Sequence, residues 1–178
     1  MSRIRIIGGA WRSRLIDVRT VKGLRPTPDR VRETLFNWLG QELDGRSCLD
    51  LFAGSGALGF EAASRGAERV VMVEQDAVAL AALQINANTL NAECVQIVRC
   101  DALHFARSAK QTFDVVFVDP PYRAGWIERM APFLPGLLGE GGVAYLEAEY
   151  EIDNIDRLTR VKHGAAGQVF YHLFTRAA

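Results

Sequence analysis

A chain of 178 residues is expected to form one domain. Its 49% hydrophobic and 24% charged residues are ordinary for a soluble globular protein and exclude a disordered or fibrous one. No signal peptide opens it and no apolar run approaches the ~20 residues that span a bilayer, so a cytoplasmic location is expected. Cys48, Cys94 and Cys100 make an odd count without a C-x-x-C pair, and His104, His163 and His172 are scattered. Reduced thiols are expected, not disulfides or a metal site. The net charge of zero hides an asymmetry. Residues 1–32 hold nine basic and two acidic groups, a balance of +7, and the remainder balances at −7. A basic segment on an acidic body points to a polyanionic partner.

In chain order, "RIRIIGGAWRSRLIDV" reads as two short strands around Gly8-Gly9, a hairpin signal. Alternation puts Arg3 and Arg5 on one face of the first strand and Arg12 and Arg14 on one face of the second. Residues 1–24 are thus expected to form a basic hairpin arm, and residues 25–178 the main domain. "KGLRPTPDR" breaks the pattern with Gly23, Pro26 and Pro28. Thr27 suits the N-cap of a helix, Pro28 its first position and Asp29 its positive end. Val31, Leu35 and Trp38 follow at helical spacing, and Gly40 ends the helix.

Strands and helices then alternate. "SCLDLF" is a strand, and a glycine loop opens a helix through "ALGFEAASRG". "RVVMVE" is followed by a helix from Asp76 to about Leu90, and "CVQIVRC" by a short helix over "ALHFARSA". "FDVVFVD" is nearly continuous in apolar residues, as in a strand buried on both faces. A helix is expected from about Trp126 to Leu138, then the strand "GGVAYLEAE". "RLTRVKHG" and "GQVFYHLFTR" form a final hairpin across Gly164 to Gly167. The expected fold is α/β: a doubly wound, mostly parallel seven-stranded sheet with an antiparallel C-terminal hairpin.

"DLFAGSGALG" carries G-x-G-x-x-G at Gly54, Gly56 and Gly59, with Glu74 twenty residues after Gly54. Gly54 permits a tight turn, Gly56 lets backbone approach a ligand, and Glu74 can accept from ribose hydroxyls. Taken alone this fits a dinucleotide or another adenosine compound. Asp50, four residues before Gly54, would repel a pyrophosphate and suits the cationic amino-acid end of S-adenosylmethionine. Asp101, after the third strand of the domain, can take the adenine amino group; it also suits an N-cap. "DPPY" (Asp119, Pro120, Pro121, Tyr122) ends the fourth strand. Ligands bind beyond the carboxyl ends of parallel strands, so Asp50, Glu74, Asp101 and Asp119 are expected to converge. An exocyclic amino group on a base is a poor nucleophile, because its lone pair is delocalised. Asp119 and the Pro120 carbonyl can each accept one of its hydrogens and favour a pyramidal nitrogen. Tyr122 offers a ring for an unstacked base. No metal is needed.

The stretches "IIGGAWRSR", "LRPTPDRVRETLFNWL", "CLDLFAGSGALGFEAASRGA", "VVMVEQD" and "FDVVFVDPPY" resemble the RsmD-type 16S rRNA guanine-N2 methyltransferases. The first two are the more specific, and the likeness covers about residues 3–125. It implies a class I S-adenosylmethionine-dependent fold and methylation of the guanine numbered 966. It places Asp50, Phe52, Ala53, Gly54, Ser55, Gly56, Glu74, Gln75, Asp101 and Ala102 in the cofactor motifs. Thr27 or Arg30 would meet the methionine carboxylate, and Asp119, Pro120 and Tyr122 form the catalytic motif. Arg3, Arg5, Arg12, Arg14 and Arg123 are candidates for rRNA phosphates, although charges on a terminal hairpin also deter edge pairing. The alternatives are a DNA adenine-N6 methyltransferase, which shares "DPPY", a protein glutamine methyltransferase, and a non-catalytic RNA-binding module on the same scaffold. A monomer acting on small-subunit RNA or its assembly intermediate is expected.

Overall fold

The computed structural model describes residues 1–19, 21–22 and 26–177. The elements in order are β1 (Ser2–Arg5), β2 (Leu15–Val18), α1 (Asp29–Leu39), β3 (Ser47–Asp50), α2 (Ala57–Ser64), β4 (Arg69–Glu74), α3 (Ala77–Leu90) and β5 (Val95–Arg99). Then come α4 (Ala102–Ser108), β6 (Phe113–Val118), α5 (Trp126–Met130), α6 (Leu134–Leu137), β7 (Leu138–Ala148), β8 (Leu158–Ala166) and β9 (Val169–Arg176). Seven strands form one sheet in the order β5-β4-β3-β6-β7-β9-β8, and β1 pairs with β2 in a separate ribbon. The first five strands of that order run parallel. β9 is antiparallel to both of its neighbours. The expected doubly wound sheet with a closing antiparallel hairpin is therefore what the chain forms.

β3, β4 and β6 are apolar on both faces because helices cover both. On one face Cys48, Met72, Phe117 and Tyr145 pack with α1, α2, α3 and the apolar side of the β1–β2 ribbon. On the other, Leu49, Val71, Val116 and Leu146 pack with α4, α5 and α6. α1 contributes Val31, Leu35, Phe36 and Leu39 at helical spacing, all buried, and each such side chain is worth about 1.5–3 kcal/mol. Gly40 ends α1 in the left-handed conformation at φ 96°, as Gly at a helix end does.

Four local expectations are corrected. β1 and β2 pair only from Ser2↔Val18 to Arg5↔Leu15, so Arg12 and Arg14 lie in the turn and not on a strand. The turn backbone is held instead by α2: Ala10 donates its N–H to the Ser64 carbonyl at 2.7 Å, and Trp11 donates to Ser64 Oγ at 2.9 Å. Pro28, not Thr27, is the N-cap of α1, and no side chain caps it. The helix expected from Trp126 to Leu138 is split into α5 and α6, because Pro132 and Pro135 lack the N–H that a continuous helix needs. The last hairpin turns at Gly167-Gln168, with Gly164 inside β8. A Cβ on Gly164 would stand 2.7 Å from the Tyr171 ring carbon Cζ, so the ring packs across the glycine and the strand continues. The boundary expected between residues 24 and 25, with Gly23 and Arg25 beside it, lies outside the described residues.

Candidate active site

The strand order reverses between β3 and β6, the point at which parallel sheets bind ligands beyond the carboxyl ends of their strands. Asp50 ends β3, Glu74 ends β4, Asp101 follows β5 and Asp119 follows β6. Residue alternation sets the face: Asp50 follows Cys48, Glu74 follows Met72 and Asp119 follows Phe117, all on the α1 side.

Asp50 is buried, and its Oδ1 has no hydrogen-bond partner among the described residues. Burial, then the carboxylates of Asp119 and Glu74, push its pKa up to about 7, against hydrogen bonds from the Gly59 and Phe52 backbone. Glu74 is tied down by backbone. Its Oε2 accepts the Gly54 N–H at 2.8 Å, and its Oε1 accepts those of Gln75 and Asp76 at 2.9 Å each. A carboxylate has about four acceptor positions, so capacity remains. Asp101 Oδ1 accepts the His104 N–H at 2.9 Å and caps α4, which begins at the buried Ala102.

In the glycine loop, Gly54 takes φ 53° and Gly56 φ 83°, conformations that favour glycine. A Cβ on Gly56 would lie 2.5 Å from the Phe60 ring and 2.7 Å from Leu83, so contact with the protein itself already requires this glycine. The Ala53 N–H reaches the Val73 carbonyl at 3.0 Å. Ser55 Oγ accepts the Ala57 N–H at 3.2 Å. The Phe52 ring meets Trp126 edge-on, with centroids 5.1 Å apart.

The second half of the site was only partly expected. Thr27 is buried, and its hydroxyl lies 2.9 Å from Asp119 Oδ2 and 3.3 Å from Glu147 Oε2. The β6–β7 register pairs Val118 with Leu146, which brings the next residues, Asp119 and Glu147, side by side. Glu147 is 3% exposed. Burial and then its hydrogen bond with Asp119 push its pKa up to about 10. Burial also raises Asp119, while the hydrogen bonds from Glu147 and Thr27 lower it. Two buried carboxyls in contact ionise together only at high cost, so a proton shared between Asp119 and Glu147 is favoured. The Tyr145 hydroxyl, on the same face of β7, is buried without a partner among the described residues. Burial, then Glu147 and Asp119, raise its pKa well above the usual phenol value.

Pro120, Tyr122, Trp126, Glu147, Glu149 and Tyr150 line a cavity of about 90 Å³ beside this pair. The N–H of Arg123 donates to Glu149 Oε1 at 2.8 Å, and its exposed guanidinium stands 3.7 Å from Glu149 Oε2. Sequence reasoning missed Glu147, Tyr145 and Trp126. The available signal was "YLEAE": a carboxylate two residues after Tyr145 in a strand otherwise apolar, where burial demands a partner.

The basic candidates are spread out. Arg3 Nε contacts Asp17 at 3.0 Å on the exposed face of β1. Arg5 is exposed, and its carbonyl accepts from Arg32 Nη1 at 3.0 Å. Arg14 donates to the Thr89 carbonyl at 3.0 Å. Arg12 faces a groove shared with Glu33, Asn37, Gln41 and Arg65. Arg30 is exposed on the first turn of α1. Arg32, by contrast, is buried and lies 3.3 Å from the buried carboxylate of Glu61. Glu61 also accepts the N–H groups of Ile7 at 2.9 Å and Gly8 at 2.8 Å, and Arg65 Nε at 2.9 Å.

Residues 4–175 match the model of a family described as "Conserved hypothetical protein 95". The chain is 43% identical to ribosomal RNA small subunit methyltransferase D of Escherichia coli K12, over 99% of this chain and 91% of that one. A solved structure of the Escherichia coli protein yhhF superposes with a TM-score of 0.90 and 42% identity, covering 99% of each chain. An RNA methyltransferase from Salinibacter ruber, solved with S-adenosyl-L-homocysteine, shares the fold at a TM-score of 0.69 and 18% identity, covering 86% of this chain and 94% of the other.

Proposed function

Because the chain belongs to the family of the ribosomal RNA small subunit methyltransferases D, we propose that it transfers the methyl group of S-adenosylmethionine to the exocyclic N2 of a guanine in small-subunit rRNA, the guanine numbered 966. The observation that carries this reading is the pairing of a buried carboxylate, Asp50, whose Oδ1 has no partner among the described residues, with the Asp-Pro-Pro-Tyr turn at the same switch point. Asp50 Oδ1 fits a cationic amino group and would repel a pyrophosphate. The spare acceptor positions of Glu74 suit ribose hydroxyls, and Asp101 suits the adenine amino group. Phe52, Ala53, Gly54, Ser55, Gly56, Gln75 and Ala102 shape the wall between them. Thr27 gives its hydroxyl to Asp119, so the methionine carboxylate falls to Arg30.

The cofactor supplies a methyl group on a sulfonium, and the protein supplies placement. The Asp119 carboxylate and the Pro120 carbonyl accept the two amino hydrogens and turn the nitrogen lone pair toward the methyl group. In-line placement of nucleophile and methyl is a proximity effect, worth several kcal/mol. Tyr122 carries the base by stacking, which contributes about 1–3 kcal/mol. Guanine is favoured over adenine by the lining of the adjacent cavity. Carboxyl groups of Glu147 and Glu149 face it, and guanine presents donors at N1 and N2, whereas adenine presents an acceptor at N1. Arg3, Arg5, Arg12, Arg14 and Arg123 are assigned to phosphates.

The test uses labelled S-adenosylmethionine and small subunits from cells lacking the enzyme, with the labelled nucleoside identified by mass spectrometry. N2-methylguanosine is expected from the wild type and none from Asp119→Ala. Label in N6-methyladenosine, or none in RNA with cofactor binding intact, would overturn the substrate assignment.

A further inference from the structure

Two carboxyl groups and one hydroxyl meet at the end of β6 and β7, and they can be counted for hydrogens. Thr27 Oγ1 carries one hydrogen, and it lies 2.9 Å from Asp119 Oδ2 and 3.3 Å from Glu147 Oε2. It can donate to only one of them, and the shorter contact is to Asp119. Two ionised carboxylates in contact repel strongly, so a proton must lie between them. The parallel register forces the contact, because Val118↔Leu146 makes the following residues neighbours. The groups around Glu147 come from several elements: Asp119 after β6, Thr27 before α1, Tyr145 on β7, Tyr171 on β9 and Tyr122 beyond the proline pair. Glu149 and Arg123, paired with each other at 3.7 Å, line the cavity beside Glu147, and Asp50 acts on Asp119's side.

We propose that Glu147 is a positioning residue for methyl transfer: it gives a proton to Asp119 in a hydrogen bond, and together with Thr27 it fixes which Asp119 oxygen faces the substrate amino group. This rests on the reading of Asp119 as the group that binds that amino group. Thr27 and Glu147 occupy acceptor positions on the carboxylate and prevent its rotation. The Asp119 charge remains for the substrate, and the pair as a whole carries a single negative charge. Methyl transfer forms the N–C bond as the S–C bond breaks, and leaves a cationic secondary amine. One of its protons passes to the Asp119 carboxylate, so the pair takes up a second proton and becomes neutral until solvent removes it. Loss of the shared proton at high pH would leave two charges, with the amino group no longer met by an oriented acceptor. Glutamine at 147 preserves the donor but cannot ionise, which separates the hydrogen bond from the titration.

The experiment has two arms. In the first, the side-chain carboxyl carbons of the free protein are followed by NMR against pH, with the Glu147 signal assigned by its absence in Glu147→Gln. The expected result is a Glu147 carboxyl still protonated at pH 8. A Glu147 signal titrating in the ordinary glutamate range overturns the proposal, whatever the protein methylates. In the second arm, kcat, KM and pH profiles on small subunits are compared for wild type, Glu147→Gln and Glu147→Ala. Glu147→Gln is expected to keep kcat within about threefold and to lose the alkaline fall in rate. Glu147→Ala is expected to lose at least about tenfold in kcat, with S-adenosylhomocysteine affinity unchanged by calorimetry. These fold-changes are of the order of one hydrogen bond to a charged group. Equal losses in the two variants, or an unaltered alkaline limb in Glu147→Gln, overturn the positioning role. If the wild type methylates no RNA, the proposed function falls, and the NMR arm still decides the carboxyl pair.

Discussion

Asp50 is a carboxylate in a place closed to water, and its Oδ1 has no partner among the described residues. Its pKa is pushed up to about 7 by burial and by Asp119, so with Asp50 in the proposed role cofactor binding should be pH-dependent. Only the ionised form attracts an ammonium group, so below pH 7 a proton must leave before the cation enters. Affinity for S-adenosylhomocysteine should fall about tenfold between pH 6 and pH 5 and be flat just above pH 7. Asp50→Asn should weaken binding by roughly ten- to a hundredfold and remove the acid limb; this corresponds to about 1.4–2.7 kcal/mol. Calorimetry across the range checks both, and an unaltered profile in Asp50→Asn would remove Asp50 from the site. Glu147 makes a second pH statement, about stability. Its folded pKa of about 10 is above the unfolded value of about 4.3. The stabilisation it gives is therefore complete below pH 4 and is lost as pH rises toward 10. Asp50 contributes in the same sense only up to about pH 7. The melting temperature of the free protein should thus fall between pH 7 and pH 9, and fall less in Glu147→Gln.

At the scale of elements, the β1–β2 ribbon is fastened by the C-terminal half of α2. Glu61 is 0% exposed and Arg32 1% exposed, and Glu61 receives two ribbon N–H groups and two guanidinium groups. Glu61→Ala leaves Arg32 buried without that partner and should cost about 3–5 kcal/mol in chemical denaturation. Gly9→Ala acts at the same junction. Its φ is +78°, and a Cβ would stand 1.9 Å from the Ser64 carbonyl oxygen. It should destabilise by more than the roughly 1–3 kcal/mol of left-handed strain alone; a melting temperature equal to wild type would contradict this docking. Elements of this kind differ in how far the sequence reveals them. β3, β4 and β6 were legible because apolar runs bounded by Gly and Asp have one easy reading. The starts of α3 and α4 were legible because Asp76 and Asp101 cap them. The acids at the strand ends were legible because a parallel sheet places them. Arg12 and Arg14 were misplaced because the turn backbone bonds to Ser64, fifty-odd residues away. Thr27 was misread because its partner is Asp119, which no local pattern connects to it. Glu147 needed the β6–β7 register, a property of two strands together.

For the whole molecule, the charge division decides how a polyanion can approach. Residues 33–178 carry a balance of −7, so the proposed phosphate contacts are expected mainly on the ribbon and the start of α1, with Arg123 beside the catalytic turn. Three of the assigned arginines have intramolecular side-chain partners among the described residues: Arg3 with Asp17, Arg14 with the Thr89 carbonyl and Arg123 with Glu149. A guanidinium has five N–H donors, so these bonds hold the side chains without using them up. The Arg3–Asp17 pair is exposed and contributes little to stability. Replacing Arg12 and Arg14 together with alanine should leave the melting temperature nearly unchanged. For every phosphate that is no longer neutralised, the log–log salt slope of rRNA binding should fall by roughly 0.7–0.9. An unchanged slope and affinity would reduce these arginines to surface charges that deter edge pairing. The same geometry limits what the protein can read by itself. The ribbon is four residues per strand, and sequence-specific recognition of RNA favours unstacked loops over duplex. Under the proposed function, specificity is expected to come from an rRNA shape that presents one loop guanine to the site while the ribbon holds phosphates nearby. Partly assembled small subunits should therefore be methylated faster than naked rRNA at equal RNA concentration. Rates compared at low and moderate salt check this, and equal rates on both substrates would locate the specificity in the base pocket.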